Sequence, residues 1–189
     1  MQYSVNTGTN VEEAGNISVA KDEGTGYNEG KVGGGNRTGI PKEKIDEILK
    51  TPKGLRPDPT TYLSKDYNHL NNFREGVSKI KSKPPAGYEG TGIGTFVMPK
   101  QVADELITKA NGDIRLLEIL LGLESGSLGN SPVRVDILDP QNIRLPNGNE
   151  VGAYPGYWLP GGFTKGGILE AVIDPVPPEG YIVTPIKGG

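Results

Sequence analysis

The chain holds one histidine, His69, and no cysteine, so the choice of nucleophiles and bases is short. An imidazole is the natural general base near neutral pH, which makes His69 a candidate catalytic residue. The alternative is a helix histidine bonded to a nearby carbonyl. One histidine excludes nucleases and zinc enzymes that need a pair. The absence of cysteine removes disulfides, thiolate metal sites and thiol nucleophiles together. No carboxylate cluster has metal-ligand spacing, so neither a metal nor a cofactor is expected. A serine triad lacks its G-x-S-x-G elbow.

Residues 146–170, PNGNEVGAYPGYWLPGGFTKGGILE, carry seven glycines and the single tryptophan. A long loop inside a small domain is often functional. Glycine lets backbone approach a ligand, and Tyr157 and Trp158 offer flat surfaces for stacking. Asn149, Glu150, Tyr154, Thr164, Lys165 and Glu170 supply the polar groups; a hairpin with Trp158 in the core is the competing use of the same residues.

Charge is distributed unevenly. The net charge is −3, against a general nucleic-acid binder, yet residues 41–100 carry a net +4 and residues 101–189 a net −5. Arg74, Lys79, Lys81 and Lys83 lie close together, either as a phosphate-facing patch or as a solvated lysine-rich loop. Two chemistries fit. In metal-free RNA cleavage, a base (His69) activates a ribose 2′-hydroxyl, and Arg134, Thr164 and Lys165 stabilise the phosphorane. Lys79, Lys81 and Asn149 then bind substrate. In NAD consumption, Arg134 grips phosphate, Trp158 or Tyr157 stacks on nicotinamide, and Glu170 steadies an oxocarbenium-like ribose.

These residues must be positioned by elements legible in the pattern. Residues 1–40 are polar and glycine-punctuated and read as a flexible leader, with the folded domain at 41–189. A helix is expected after Pro41, with Ile45, Ile48 and Leu49 on one face. Leu63, Tyr67, Leu70 and Phe73 recur at helical spacing up to Gly76, which predicts a second. TFVM reads as a strand, Pro99 opens a helix bearing Val102, Leu106 and Ile107, and Ile114–Leu121 forms another, ending at Gly122. VRVDIL, NIRLP, ILEAVID and YIVTPI read as strands. Helices followed by an antiparallel cluster imply an α+β fold. No apolar run reaches the roughly 20 residues that span a bilayer, and no signal peptide is recognisable at the start.

The segments YNHLNNFREGVSKI, GTFVMPKQVADELITKANGD, VRVDILDPQNIRLPNGNEVGA and WLPGGFTKGGILEAVID resemble, across residues 56–186, the C-terminal toxin module of bacterial polymorphic toxins. That group includes the two-partner-secretion proteins of contact-dependent growth inhibition. NVEEAGN is similar to, but departs from, the VENN motif that precedes many such modules. The resemblance implies a secreted, cell-surface effector whose toxic enzymatic domain acts in the cytoplasm of a target bacterium. It implies a cognate immunity protein, sometimes a target-cell accessory protein, and no stable membrane insertion. Many such toxins are ribonucleases acting on transfer RNA, and one recurrent layout, similar to barnase, EndoU and colicin ribonucleases, packs N-terminal helices on an antiparallel sheet. The second histidine of EndoU is absent here. GGILEAVID and PPEGYIVTPI also resemble the glutamate-bearing turn and last strand of ADP-ribosyltransferases, without the E-x-E or Q-x-E pair. A binding or adhesion module without catalysis is the third class.

Overall fold

The computed structural model describes residues 38–154 and 156–188; the expected leader lies almost wholly outside them. The fold is α+β: three helices and a five-stranded antiparallel sheet, with a small two-stranded hairpin beside it. Helix α1 (Lys42–Lys50) follows Pro41, whose fixed φ suits a helix start, and buries Ile48. Strands β1 (Val77–Lys81) and β2 (Thr95–Pro99) lead into α2 (Lys100–Ala110) and α3 (Ile114–Leu121). α2 buries Val102, Ala103, Leu106 and Ala110 and stops at Asn111 in the left-handed region. Asp113 caps α3 by accepting from the Leu116 N–H, and Gly122 ends it.

Strand β3 (Val133–Ile137) is followed by the hairpin β4 (Trp158–Leu159) and β5 (Phe163–Thr164), then β6 (Ala171–Ile173) and β7 (Tyr181–Pro185). The sheet order is β6-β2-β1-β3-β7, with register Val77↔Ile137 and Val77↔Pro99 about the central strand. Because side chains alternate, Val77, Lys79 and Lys81 share one face with Val133, Val135 and Ile137. Ser78, Arg134 and Asp136 share the other. The main core joins Val77, Val97, Val135 and Ile137 to Leu106, Leu117, Phe163 and Leu169. A smaller core gathers Ile48, Ala153 and Trp158.

Four expectations are corrected. Residues 63–73 form no α-helix: turns at Pro59–Thr61 and His69–Phe73 are 3₁₀. Asp58 accepts from Thr60, Ser64 from the Asp66 N–H, and Asn72 donates to the His69 carbonyl. Such local bonds compete with a helical ladder. The lysine-rich segment after Gly76 is the central strand β1, not a loop. NIRLP forms no strand and makes only a bridge, Arg144↔Val172. The helices do not all precede the sheet, since β1 and β2 come before α2 and α3. No helix is long and apolar enough to cross a membrane among the described residues.

Candidate functional site

The densest group of charges inside the fold sits on the face of β1 that carries Lys79 and Lys81. Two residues apart on a strand, these lysines project together, and both meet Glu89 from the β1–β2 connection. Lys79 Nζ lies 3.1 Å from Glu89 Oε1, and Lys81 Nζ contacts Oε2. Thr95, at the start of β2, closes the cluster. Its hydroxyl accepts from Lys79 Nζ at 2.6 Å and donates to Glu89 Oε1 at 3.1 Å. Glu89 is held by its backbone, which exchanges hydrogen bonds with Val176 in both directions. Gly90 follows at φ +91°, where a Cβ would come within 2.7 Å of the Thr95 Cβ; the tight approach of Glu89 and Thr95 requires glycine. The Glu89 side chain is 2% exposed, whereas Lys79 and Lys81 are 29% and 26% exposed. The two lysine side chains therefore close over the carboxylate while each stays about a quarter exposed.

Electrostatics divide the carboxyls here. Burial works against the Glu89 charge, but Lys79 and Lys81 hold its pKa below the ordinary value. Burial pushes the Lys79 ammonium down, with Glu89 and, more weakly, Glu170 opposing. Glu170, just before β6, is within electrostatic reach of Lys79. Burial raises its carboxyl to about 8, against the pull of Lys79 and with Glu150 adding to the rise. It is therefore protonated at neutral pH. The other enclosed carboxylates have donors. Glu118 accepts from the N–H groups of Gly126 and Leu128, and Glu150 from those of Asn147 and Gly148. Glu170 Oε2 is enclosed with no hydrogen-bond partner, a condition natural proteins seldom tolerate without a use.

Of the residues expected from the sequence, the structure brings Lys79, Lys81 and Glu170 to this region. His69 adjoins it from beneath, 1% exposed. Its ring stacks on Tyr67 and packs against Phe73 and Phe163, and Nε2 lies 2.9 Å from the Glu170 carbonyl. A carbonyl only accepts, so Nε2 carries the hydrogen. Burial lowers the imidazole to about 4, despite the carbonyls of Glu170 and Gly162. Gly162, at φ +85°, gives the ring room: a Cβ there would lie 2.5 Å from Nε2. The ring is enclosed by Tyr67, Phe73 and Phe163, with Nε2 committed to the Glu170 carbonyl.

The remaining expected residues lie apart. Arg134 is on the opposite face, bound to Asp104 of α2 and to Asp136. Trp158 is 2% exposed beneath the Arg56 guanidinium. Asn149 pins residues 54–56, accepting from the N–H groups of Gly54 and Arg56 and donating to the Arg56 carbonyl. On the hairpin, Thr164 Oγ accepts from the Ile168 N–H, the Lys165 N–H donates to the Tyr157 carbonyl, and the Lys165 side chain is exposed. Of the groups expected to grip NAD, Arg134 and Trp158 are engaged elsewhere, while Tyr157, the alternative stacking ring, is half-buried. A groove of about 410 Å³ between α2, α3 and the end of β7 has Arg134 and Lys187 on its wall and is separate from the lysine cluster.

Glu89 and Thr95 were not found from the sequence. The available signal was indirect: a strand that half-buries two lysines requires a carboxylate, and the next connection supplies Glu89. Among the described residues no group of three or more histidine, aspartate or glutamate side chains is placed to hold a metal ion. Comparison with known proteins finds no matching family model, no matching curated protein and no matching solved structure.

Proposed function

We propose that the chain is a metal-independent ribonuclease domain whose site is the Lys79–Lys81–Glu89–Thr95 cluster with Glu170. The single observation that supports it is the convergence of two partly exposed lysines on one buried carboxylate, within electrostatic reach of a second carboxyl whose Oε2 has no hydrogen-bond partner. Phosphodiester cleavage by a ribose 2′-hydroxyl needs a base, an acid and positive charge at the phosphorane, and two carboxyls in opposite protonation states can take the first two roles. A phosphate arriving between Lys79 and Lys81 competes for their ammoniums and frees an oxygen of Glu89. Glu89 takes the 2′-hydroxyl proton as the O2′–P bond forms. Glu170 gives its proton to the departing 5′-oxygen as the P–O5′ bond breaks, leaving a 2′,3′-cyclic phosphate. Lys79 and Lys81 balance the extra charge of the intermediate. A helix-and-antiparallel-sheet layout is compatible with the barnase-like arrangement, and transfer RNA is the proposed substrate. In this reading the domain is the toxic end of a secreted bacterial effector, acting in the target cytoplasm and neutralised by a cognate immunity protein.

The test is paired. Purified protein is incubated with total transfer RNA and, separately, with NAD, alongside Lys79→Ala and Glu170→Gln. Cleavage of RNA to cyclic-phosphate ends, lost in both variants, is expected. NAD depletion with intact RNA would move the assignment to an NAD-consuming toxin, and cleavage unaffected by either variant would remove the cluster from the chemistry.

A further inference from the structure

The two edges of the sheet are treated differently. At β6 the segment 141–144 adds a covering layer: Arg144 and Val172 exchange hydrogen bonds at 2.9 and 2.8 Å, and the Asp174 N–H donates to the Gln141 carbonyl. At β7 nothing among the described residues pairs with the outer side. In an antiparallel ladder, residues alternate between pairs that exchange hydrogen bonds and pairs whose groups point away. The Leu138 N–H donates to the Gly180 carbonyl and the Ile186 N–H to the Pro132 carbonyl. Even-numbered residues therefore face β3, and Tyr181, Val183 and Pro185 turn their backbone groups outward. Pro185, which has no N–H, stands where an edge strand tolerates it.

We infer that β7 is a self-association surface that pairs antiparallel with β7 of a second copy of this chain, about a two-fold axis at Val183. The register is self-complementary. Val183 meets Val183 of the other copy and exchanges two hydrogen bonds, and each Tyr181 N–H reaches the carbonyl of the opposite Pro185. The missing proline N–H forfeits only the bond to the Tyr181 carbonyl. Residues 181–185 carry no charge, so no like charges oppose each other, and the lysines that usually guard a free edge are absent. Beyond the strand, Glu179 in the 3₁₀ turn before β7 and Lys187 after it are both exposed, and the same axis brings the acidic end of each strand towards the basic end of the other. Ile182 and Leu138, 54% and 58% exposed, lie on one face of this edge and become partly covered. The two five-stranded sheets then join into one of ten strands. A closed two-fold contact of this kind uses the same patch twice. It is independent of the proposed ribonuclease site.

The test is the mass of the full chain by sedimentation equilibrium, from low micromolar to several hundred micromolar protein. A monomer–dimer equilibrium is expected. Val183→Pro removes an outward donor without touching a bond to β3 and should leave a monomer with unchanged circular dichroism. Glu179→Lys should weaken the dimer about tenfold, and adding Lys187→Glu should restore it. A monomer at every concentration overturns the inference. So does a dimer indifferent to both Val183→Pro and Glu179→Lys, because the copies would then meet elsewhere.

Discussion

The two faces of the sheet each carry an ion cluster built on neighbouring strands, and the two are composed in opposite ways. On one face, two lysines share one carboxylate, so positive charge is in excess and the cations stand between the carboxylate and solvent. On the other, one guanidinium is shared by two carboxylates, Asp104 and Asp136, with Ser78 donating to Asp136 and accepting from Arg134. Each nitrogen of the Arg134 guanidinium donates to one of these partners, and the local balance is negative. A phosphate can exchange with the partner of a lysine in the first cluster, but would be repelled by the spare carboxylate of the second. A cation on a strand is therefore a candidate for anion binding only when its counter-charges do not outnumber it, and Arg134 alone could not disclose its two partners.

The largest expected effects come from breaking the first cluster. Glu170→Gln keeps the shape of the side chain but cannot deliver a proton, and RNA cleavage should fall by about 10²–10³-fold. The same substitution should raise stability in alkaline buffer. The folded-state pKa of Glu170 is raised to about 8, so the native state holds its proton between the ordinary carboxylate range and pH 8, and stability declines as pH rises through that window. Glutamine, never charged, removes the decline; urea unfolding at pH 6 and pH 9 measures it. Glu89→Ala leaves two lysines facing each other over a buried gap, and should cost about 3 kcal/mol as well as activity.

His69 sharpens the comparison, because sequence chemistry marks it as the base while its surroundings are those of a core side chain. His69→Ala should destabilise by about 3 kcal/mol through a cavity and the loss of the bond to the Glu170 carbonyl. Turnover per folded molecule should fall far less than in Glu170→Gln. The pH dependence follows from its neutral state. The pKa is depressed to about 4, so the unfolded chain binds the extra proton between about pH 6.5 and 4. Stability from this group is full above that window and is lost as pH falls through it, by up to about 3 kcal/mol. Unfolding free energies at pH 7, 5.5 and 4.5, compared between the parent and His69→Phe, measure the slope; an equal slope in both would remove His69 as its source.

Much of the scaffold was legible because local patterns agreed with the final packing. Pro41, Pro99 and Gly122 punctuate three helices where expected, and the alternation in VRVDI and YIVTP places β3 and β7. The failures share a cause. Leu63 to Phe73 has helical spacing, but Asp58, Ser64 and Asn72 offer the backbone nearer partners, so the apolar residues reach the core from 3₁₀ turns. VSKIK alternates too, yet its lysines suggested solvent, since nothing local announces that Glu89 will fold back over them. Trp158 and Asn149 sat in a glycine-rich stretch that looked like a binding loop. Both are used in packing, one beneath Arg56 and the other as a tie to residues 54–56. Long-range pairing of charge was the information the chain order did not display.

The smallest effect is the most specific to the difference between the faces. Asp104 is 54% exposed while Arg134 is 12% exposed, so their pair is screened by water and salt on one side. Asp104→Asn leaves Arg134 bonded to Asp136 and should change stability by less than about 1 kcal/mol, with no change in RNA cleavage. The deeper partner behaves otherwise. Asp136→Asn halves the charge around a mostly enclosed guanidinium and disturbs Ser78, which is fully buried, so it should cost more than Asp104→Asn, again without altering cleavage. A double-mutant cycle on the two aspartates, read by urea unfolding and RNA turnover together, checks this. Loss of turnover in either single variant would make Arg134 part of the chemistry, and the two faces would then have to act jointly.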